Sequence, residues 1–244
     1  MSARTEVLAR VRRALAPAPG RSAAPVPTVP RDYRRHGDVA TGSSEAVELL
    51  VDRLVDYRAT VVRTSTAGLA AAVAAQLEGV PRVVVPPGLD PAWVAAAREA
   101  VGEVLVDGVA PVGDPTGDAT GDATGDPMAV PGASVAPLSH AALDATAAVV
   151  TACRVAVAET GTIVLDGEGD QGRRVLTLLP DRHVCVVRAD QVVGSVPEAV
   201  ALLATHPERP MTWISGPSAT SDIELVRVEG VHGPRDLRVL VVED

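Results

Sequence analysis

Between residues 60 and 106 the chain alternates β-branched runs with helix-length segments, and that alternation leaves few folds open. Residues 60–63 (TVVR) read as a strand, followed by a helix that Thr66 caps and that runs to Leu77. Residues 82–85 (RVVV) read as the next strand. The helix after them has Asp90 as its cap, Pro91 at its first position and its end near Val101, and residues 103–106 (EVLV) follow as a third strand. An N-cap carboxylate and a proline in the first turn both suit a helix start, where the backbone N–H groups lack intrahelical partners. Strands joined through helical crossovers run parallel, and a parallel sheet is covered on both faces, so its strands are continuously apolar rather than alternating. The expected fold class is therefore α/β, with a mostly parallel sheet flanked by helices.

The same reading extends along the chain. Residues 2–15 form an amphipathic helix with Val7, Leu8, Val11 and Leu15 on one face and Arg4, Arg12 and Arg13 off it. Five prolines in residues 17–30 make a linker with neither helix nor ladder. Residues 1–38 are accordingly expected as an arm, packing on its own domain or on a neighbour, and residues 39–244 as one domain. Ser44 is expected to cap a helix over 44–56. The tandem TGDATGDATGD of residues 116–126 lacks the nonapeptide spacing of calcium-binding β-helices, so residues 113–130 or so read as a disordered insertion. Beyond it, Ser139 caps a short helix. Strands are expected over 147–150, 155–158, 163–165, 175–178, 184–187, 211–214 and 237–242, and Ser195 opens a helix to Leu203.

Composition removes whole classes of function. All 22 basic residues are arginine, so a Walker lysine, a Schiff-base lysine and a pyridoxal-phosphate lysine are excluded together. The net charge of −9, with arginines scattered rather than clustered, argues against a nucleic-acid surface. Two cysteines, Cys153 and Cys185, are too few for a four-thiolate iron–sulfur or zinc site and sit in apolar runs as core residues. No apolar run reaches the roughly 20 residues of a membrane helix, and no apolar segment follows the N-terminal arginines as it would in a signal peptide. A cytoplasmic protein with no bound cofactor is the expectation.

Two stretches carry the chemistry: AETGTIVL over residues 158–165 and SGPSATSDIELVRVEGVHGP over residues 215–234. Each begins where a strand ends, and in open α/β sheets ligands bind beyond the carboxyl ends of strands. The expectation is that the two loops form one site. Gly161 and Gly216 permit close backbone approach, while Thr160, Thr162, Ser215, Ser218 and Thr220 supply hydroxyls suited to a carboxylate or phosphate. Glu159 is the candidate base or nucleophile. Arg173 and Arg174, after a glycine-rich loop, are candidate anion clamps. Asp222, Glu224 and His232 complete the candidate ligand-binding set. Glycine, serine and threonine also build ordinary turns. A serine hydrolase is disfavoured: residues 216–220 (GPSAT) lack the second glycine of a nucleophile elbow. Asp222, Glu224, Glu229 and His232 match neither HExxH nor a two-histidine, one-carboxylate pattern, so no metal site is expected. His183 reads as a histidine at the edge of the core.

Three motifs in order, AETGTIVL, GRRVLTLLPDRHVCVV and WISGPSATSDIELVRVEGVHGP, resemble the lactate utilization protein C family, the LUD domain. The match is continuous over residues 139–242 and weaker across 40–135. The resemblance implies a fold like that of CoA-transferases, ribose-5-phosphate isomerase and 5-formyltetrahydrofolate cyclo-ligase. It implies a role in oxidising L-lactate to pyruvate beside iron–sulfur partners. This chain, without CxxC arrays, fits the accessory, cluster-free component. The hydroxyls of the two loops, for their part, point to a small anionic metabolite there. A second reading is a stand-alone enzyme, CoA-transferase-like or acting on a phosphorylated metabolite, that uses Glu159.

Overall fold

The structure, a computed structural model, describes residues 3–15, 30–108, 136–217, 219–221, 227–229 and 233–244. The chain divides into two compact units, residues 1–33 and 34–244. The first contains helix α1 (Ala3–Leu15), in which Val7, Leu8 and Val11 are exposed and Arg10 pairs with Glu6 one turn earlier at 2.6 Å. The proline-rich linker and the glycine–aspartate repeat fall outside the described residues.

The second unit is built on a six-stranded sheet. Its members are β1 (Thr60–Thr64), β2 (Arg82–Val85), β3 (Glu103–Val106), β4 (Ala148–Thr151), β7 (Arg182–Arg188) and β12 (Asp236–Val242). They lie in the order β1-β12-β7-β4-β2-β3, and every neighbouring pair is parallel. The valine-rich runs form this sheet because both faces are covered. On one face, α3 (Leu69–Gln76) and α4 (Pro91–Ala100) close over Val83, Val85, Val150, Val184, Val186 and Leu240. On the other, α2 (Ser44–Asp56) lays Ala46, Val47, Leu50 and Leu54 against Cys185, Val187, Val239 and Val241.

That second face also receives a feature the sequence reading did not anticipate. Strands β5 (Val155–Val157), β6 (Thr162–Leu165), β8 (Val192–Val193) and β9 (Thr212–Ile214) form a separate mixed sheet in the order β8-β5-β6-β9. Its inner side chains, among them Ala156, Ile163 and Leu165, join the core under α2. Its outer side packs Val155, Val157, Val164 and Val193 against α6 (Val196–Leu203). Between β3 and β4 in sequence lies α5 (His140–Asp144), capped by the Ser139 hydroxyl as expected. A two-stranded antiparallel ribbon, β10 (Ala219–Ser221) and β11 (Arg227–Glu229), completes the described strands.

Three local readings change. The α2 cap is Ser43, whose hydroxyl accepts from Ala46 N at 3.2 Å, rather than Ser44. The segment after β1 starts as a single 3-10 turn, Thr66–Gly68, capped by Ser65, before α3 begins; the Thr66 hydroxyl is instead bonded to the Asp244 carboxylate. Residues 175–178 are not a strand: 175–177 belong to a 3-10 turn, Arg174–Thr177, which Leu178 caps. No edge is open to them, since β7 already has β4 and β12 on its two sides. Their polar groups are satisfied locally, with Leu178 N and Leu179 N both donating to Val175 O and the Thr177 hydroxyl to Arg174 O. Among the described residues, no helix is long and apolar enough to cross a membrane.

Candidate functional site

Strands β5 and β6 are an antiparallel hairpin whose last pair is Val157 with Thr162, so residues 158–161 form its turn. Glu159 and Thr160 occupy the tip. Glu159 is exposed, and its backbone N–H donates to Gly194 O at 3.2 Å. Strand β9 pairs antiparallel with β6, placing Ile214 opposite Ile163 and hence Ser215 opposite Thr162. The hydroxyls meet: Thr160 Oγ1 lies 2.8 Å from Thr162 Oγ1, which lies 2.8 Å from Ser215 Oγ. Three hydroxyls in series polarise one another, and their shared protons leave donor or acceptor capacity at both ends of the chain.

Both glycines are needed where the loops dock on the C-terminal turn of α2. Gly161 has φ +60°, and a Cβ there would stand 2.6 Å from Arg53 Cβ. Gly216 has φ +83°, and a Cβ there would stand 2.6 Å from Tyr57 Cβ. Positive φ and absent side-chain volume are thus required together. The loops lie side by side, but the reason differs from the expected one. They follow strands of the small mixed sheet, and they stand near the amino ends of the parallel strands, where α2 leads into β1.

A cavity of about 220 Å³ opens beside Ser215 and Gly216. It is lined on one side by Thr212, Trp213, Ile214 and Pro217, and on the other by Arg174, Thr177, His183 and Leu237, with Gly233 and Pro234 at its edge. Arg174 Nη1 donates to Thr177 O at 3.1 Å and to the Thr177 hydroxyl at 3.2 Å, which fixes the guanidinium at the wall. Partial desolvation lowers the Arg174 pKa from its usual value. His183 is 1% exposed. Its Nε2 meets the Thr151 hydroxyl at 2.8 Å, while its Nδ1 is buried with no hydrogen-bond partner.

Of the expected site residues, the structure brings together Thr160, Gly161, Thr162, Ser215 and Gly216, and adds Arg174. Arg173 faces elsewhere: its Nε and Nη2 grip Asp107 at 2.7 and 2.8 Å, and Nη2 also donates to Leu138 O at 2.6 Å. Ser218, Asp222, Glu224 and His232 lie outside the described residues, and of Thr220 only the backbone, in β10, is described. His183, Thr177 and Trp213 were missed. The histidine stands at the second position of a valine-rich strand, where a polar residue is conspicuous, and that was the available signal. Cys153 and Cys185 are both buried, the Cys153 thiol donating to Gln191 Oε1 at 3.6 Å, and the neighbouring Cys185 together with burial pushes the Cys153 thiol above its usual value. Among the described residues, no group of three or more histidine, cysteine or acidic side chains is placed to hold a metal.

The LUD domain model matches residues 134–242, a span that includes the hairpin, the 3-10 turn, β7 and β9. A lactate utilization protein C from Deinococcus radiodurans is 41% identical over 242 residues, covering 98% of this chain and 95% of that one. The lactate utilization protein C of Bacillus subtilis is 33% identical over 101 residues, 39% of this chain. Among solved structures, a DUF162 family protein from Deinococcus radiodurans superposes with a TM-score of 0.60 at 39% identity, over 82% of this chain and 98% of that one. With a relative this similar along nearly its whole length, the chain belongs to the lactate utilization protein C family of LUD-domain proteins.

Proposed function

We propose that this protein is the cluster-free component of a system that oxidises L-lactate to pyruvate, working beside iron–sulfur proteins, and that its paired loops bind an anionic metabolite. The near-full-length likeness to a lactate utilization protein C supports the pathway. The observation that carries the binding role is the hydroxyl series Thr160–Thr162–Ser215 ending at a cavity whose wall holds Arg174. Hydroxyls and an arginine at one opening stabilise negative charge, and a protein of net charge −9 has little reason to keep such a spot unless it is used.

Deleting the gene in its host is expected to abolish growth on L-lactate while leaving growth on pyruvate intact. A tagged copy from lactate-grown cells is expected to co-purify with iron–sulfur proteins. Complementation with Thr162→Val, which removes the hydroxyl that links the two loops, is expected to restore growth only in part. Normal growth on L-lactate in a deletion strain with no second copy would overturn the reading.

A further inference from the structure

The two cysteines of the chain lie in one buried cluster, although Cys153 follows β4 and Cys185 stands in the middle of β7. Cys153 is 2% exposed and Cys185 0%. Strand register brings them together, since Cys185 pairs with Thr151, two residues before Cys153. The Cys185 sulfur lies 3.9 Å from the Thr151 hydroxyl and 3.9 Å from Ala152 O, the carbonyl that the next peptide bond joins to Cys153. Gln191 holds Cys153 in place: its Nε2 donates to Cys153 O at 2.8 Å, and its Oε1 faces the Cys153 sulfur at 3.6 Å. Thr151 also meets His183 Nε2 at 2.8 Å, and His183, two residues before Cys185 in β7, leaves the strand on the same face. A thiol beside an imidazole and a hydroxyl stands where the thiolate is favoured. Cys153, and after it His183 and Thr151, draw the Cys185 thiol below its usual range against the opposing effect of burial, while Cys185 and burial push the Cys153 thiol above its own. Packing accounts for two small apolar side chains, but not for one sulfur set up as a nucleophile beside another that keeps its proton.

We infer that Cys153 and Cys185 are a peroxide-oxidised pair, Cys185 the attacking sulfur and Cys153 the resolving one, closing a reversible disulfide inside the folded chain. The Cys185 sulfur attacks one oxygen of hydrogen peroxide. An S–O bond forms, the O–O bond breaks, and the leaving hydroxide takes up the Cys185 proton as water. The Cys153 sulfur then attacks the sulfenic sulfur. The S–S bond forms, the S–O bond breaks, and the second hydroxide takes up the Cys153 proton, so two electrons have passed from the sulfurs to the peroxide. Burial selects the oxidant. Hydrogen peroxide is little larger than water, and the cover over Cys153 is thin: Arg154 beside it is exposed, and Gln191 is only half-buried. A glutathione-sized disulfide has no such route. The bridge bears on the cavity as well, because it takes the Cys185 sulfur from Thr151, the residue that also holds His183 at the cavity wall.

The purified, reduced full-length protein is treated with excess hydrogen peroxide near neutral pH and followed by thiol counting and intact mass. The expected product is a monomer that has lost two hydrogens, whose Cys153 and Cys185 peptides are joined, and whose thiols return with dithiothreitol. Cys153→Ser is expected to stop at the Cys185 sulfenic acid, which dimedone captures. In Cys185→Ser the loss of the remaining thiol is expected to slow by about tenfold or more, as for a thiol that is only a few per cent ionised. Opening of the whole chain is tested on the wild type by repeating the reaction in low urea: a rate that rises in step with the unfolded fraction overturns the inference, and a flat rate supports it. Two free thiols in the native protein under conditions that oxidise the urea-unfolded chain overturn it too, as does a disulfide between two chains or a Cys185→Ser variant that reacts as fast as the wild type. The wild-type measurements need no variant, so a serine variant that fails to fold does not rescue the pair. Of the two tryptophans, only Trp213 borders the cavity. In a Trp93→Phe background its emission is expected to shift with the time course of thiol loss, and an unchanged emission overturns the link to the cavity.

Discussion

Replacing Gly161 with alanine should cost far more than the same change at Gly79, although both glycines have left-handed backbones, at φ +60° and +75°. At Gly79 nothing lies within 4 Å of an added Cβ, so the substitution carries only the backbone penalty, about 1–2 kcal/mol. At Gly161 the new carbon lands 2.6 Å from Arg53 Cβ and 3.1 Å from the Arg53 carbonyl carbon. These atoms cannot swing aside as a side-chain tip would. Nor can α2 retreat as a body, since Leu50 and Leu54 on the same helix are fully buried. Forcing extra volume into such packing adds about 1–3 kcal/mol, for a total of about 2–5 kcal/mol. Urea unfolding reads the difference directly: with a slope near 2 kcal/mol per molar, a gap of about 2 kcal/mol separates the midpoints by about 1 M. Gly216→Ala should resemble Gly161→Ala, because its Cβ meets Tyr57 Cβ at 2.6 Å on the same helix end. One shift of that helix end relieves both clashes, so the double variant should cost less than the sum, with a coupling in the range of about 0.5–3 kcal/mol. If Gly161→Ala and Gly79→Ala lose the same midpoint, the hairpin is not pressed on α2 and the account of how the loops are joined is wrong.

Arg173→Ala should destabilise the protein by about 3 kcal/mol, near the low end for breaking a buried pair because Asp107 keeps its bond from Leu138 N at 2.9 Å; an unchanged urea midpoint would contradict the pairing. Ser43→Ala should cost about 1 kcal/mol through loss of the α2 cap, and Ser44→Ala much less, so the reverse order in thermal melts would restore Ser44 as the cap. Burial, reinforced by the neighbouring Glu168 and Asp166 charges and opposed by local hydrogen bonds, raises the Asp170 pKa, and its Oδ1 has no partner. The folded state then holds this proton more tightly than the unfolded chain, so the contribution of Asp170 to stability is largest at low pH and falls as pH rises through its raised folded pKa. Asp170→Asn should therefore raise the urea midpoint at pH 7 and lose that advantage below the ordinary carboxylate range; a midpoint difference independent of pH would refute this.

What the sequence disclosed and what it hid divide along physical lines. The sheet strands and α4 were legible to within a residue or two because burial on both faces writes continuous valine runs, and because Asp90-Pro91 is a local start signal. The small sheet was hidden. Residues 155–157, 162–165 and 212–214 are equally apolar, and periodicity says nothing about which of two sheets a buried strand joins. The turn at 174–177 was misread because Val175, Leu176 and Leu178 look like strand residues, whereas the deciding facts are distant: Arg173 anchored on Asp107, and no free edge beside β7. The pairing of the two loops was legible, since each begins at a strand end with a glycine among hydroxyls. The contribution of His183 was not, because its significance lies in one nitrogen that finds no partner.

The position of the cavity follows from what occupies the other end of the sheet. Strand β2 is followed by β3 on one side and β4 by β7 on the other, so the crevice expected to bind ligands in such a sheet lies beyond the carboxyl ends of β2 and β4. The chain fills that crevice with its own loop, residues 166–172. Gly88 N donates to Gly169 O at 2.9 Å and Ala152 N to Asp170 O at 3.0 Å, so the backbone groups just past β2 and β4 are already bonded. A Cβ on Gly88 would sit 2.6 Å from the Gly169 carbonyl carbon, leaving no room for another molecule between them. The loop then turns at Gly172, φ +71°, and delivers Arg173 to Asp107 and Arg174 to the cavity. One segment thus closes the usual binding end and supplies the cation for the opposite one. The hydroxyls come from the small sheet, whose Ser215 borders the cavity that His183 and Leu237, near the amino ends of β7 and β12, also line.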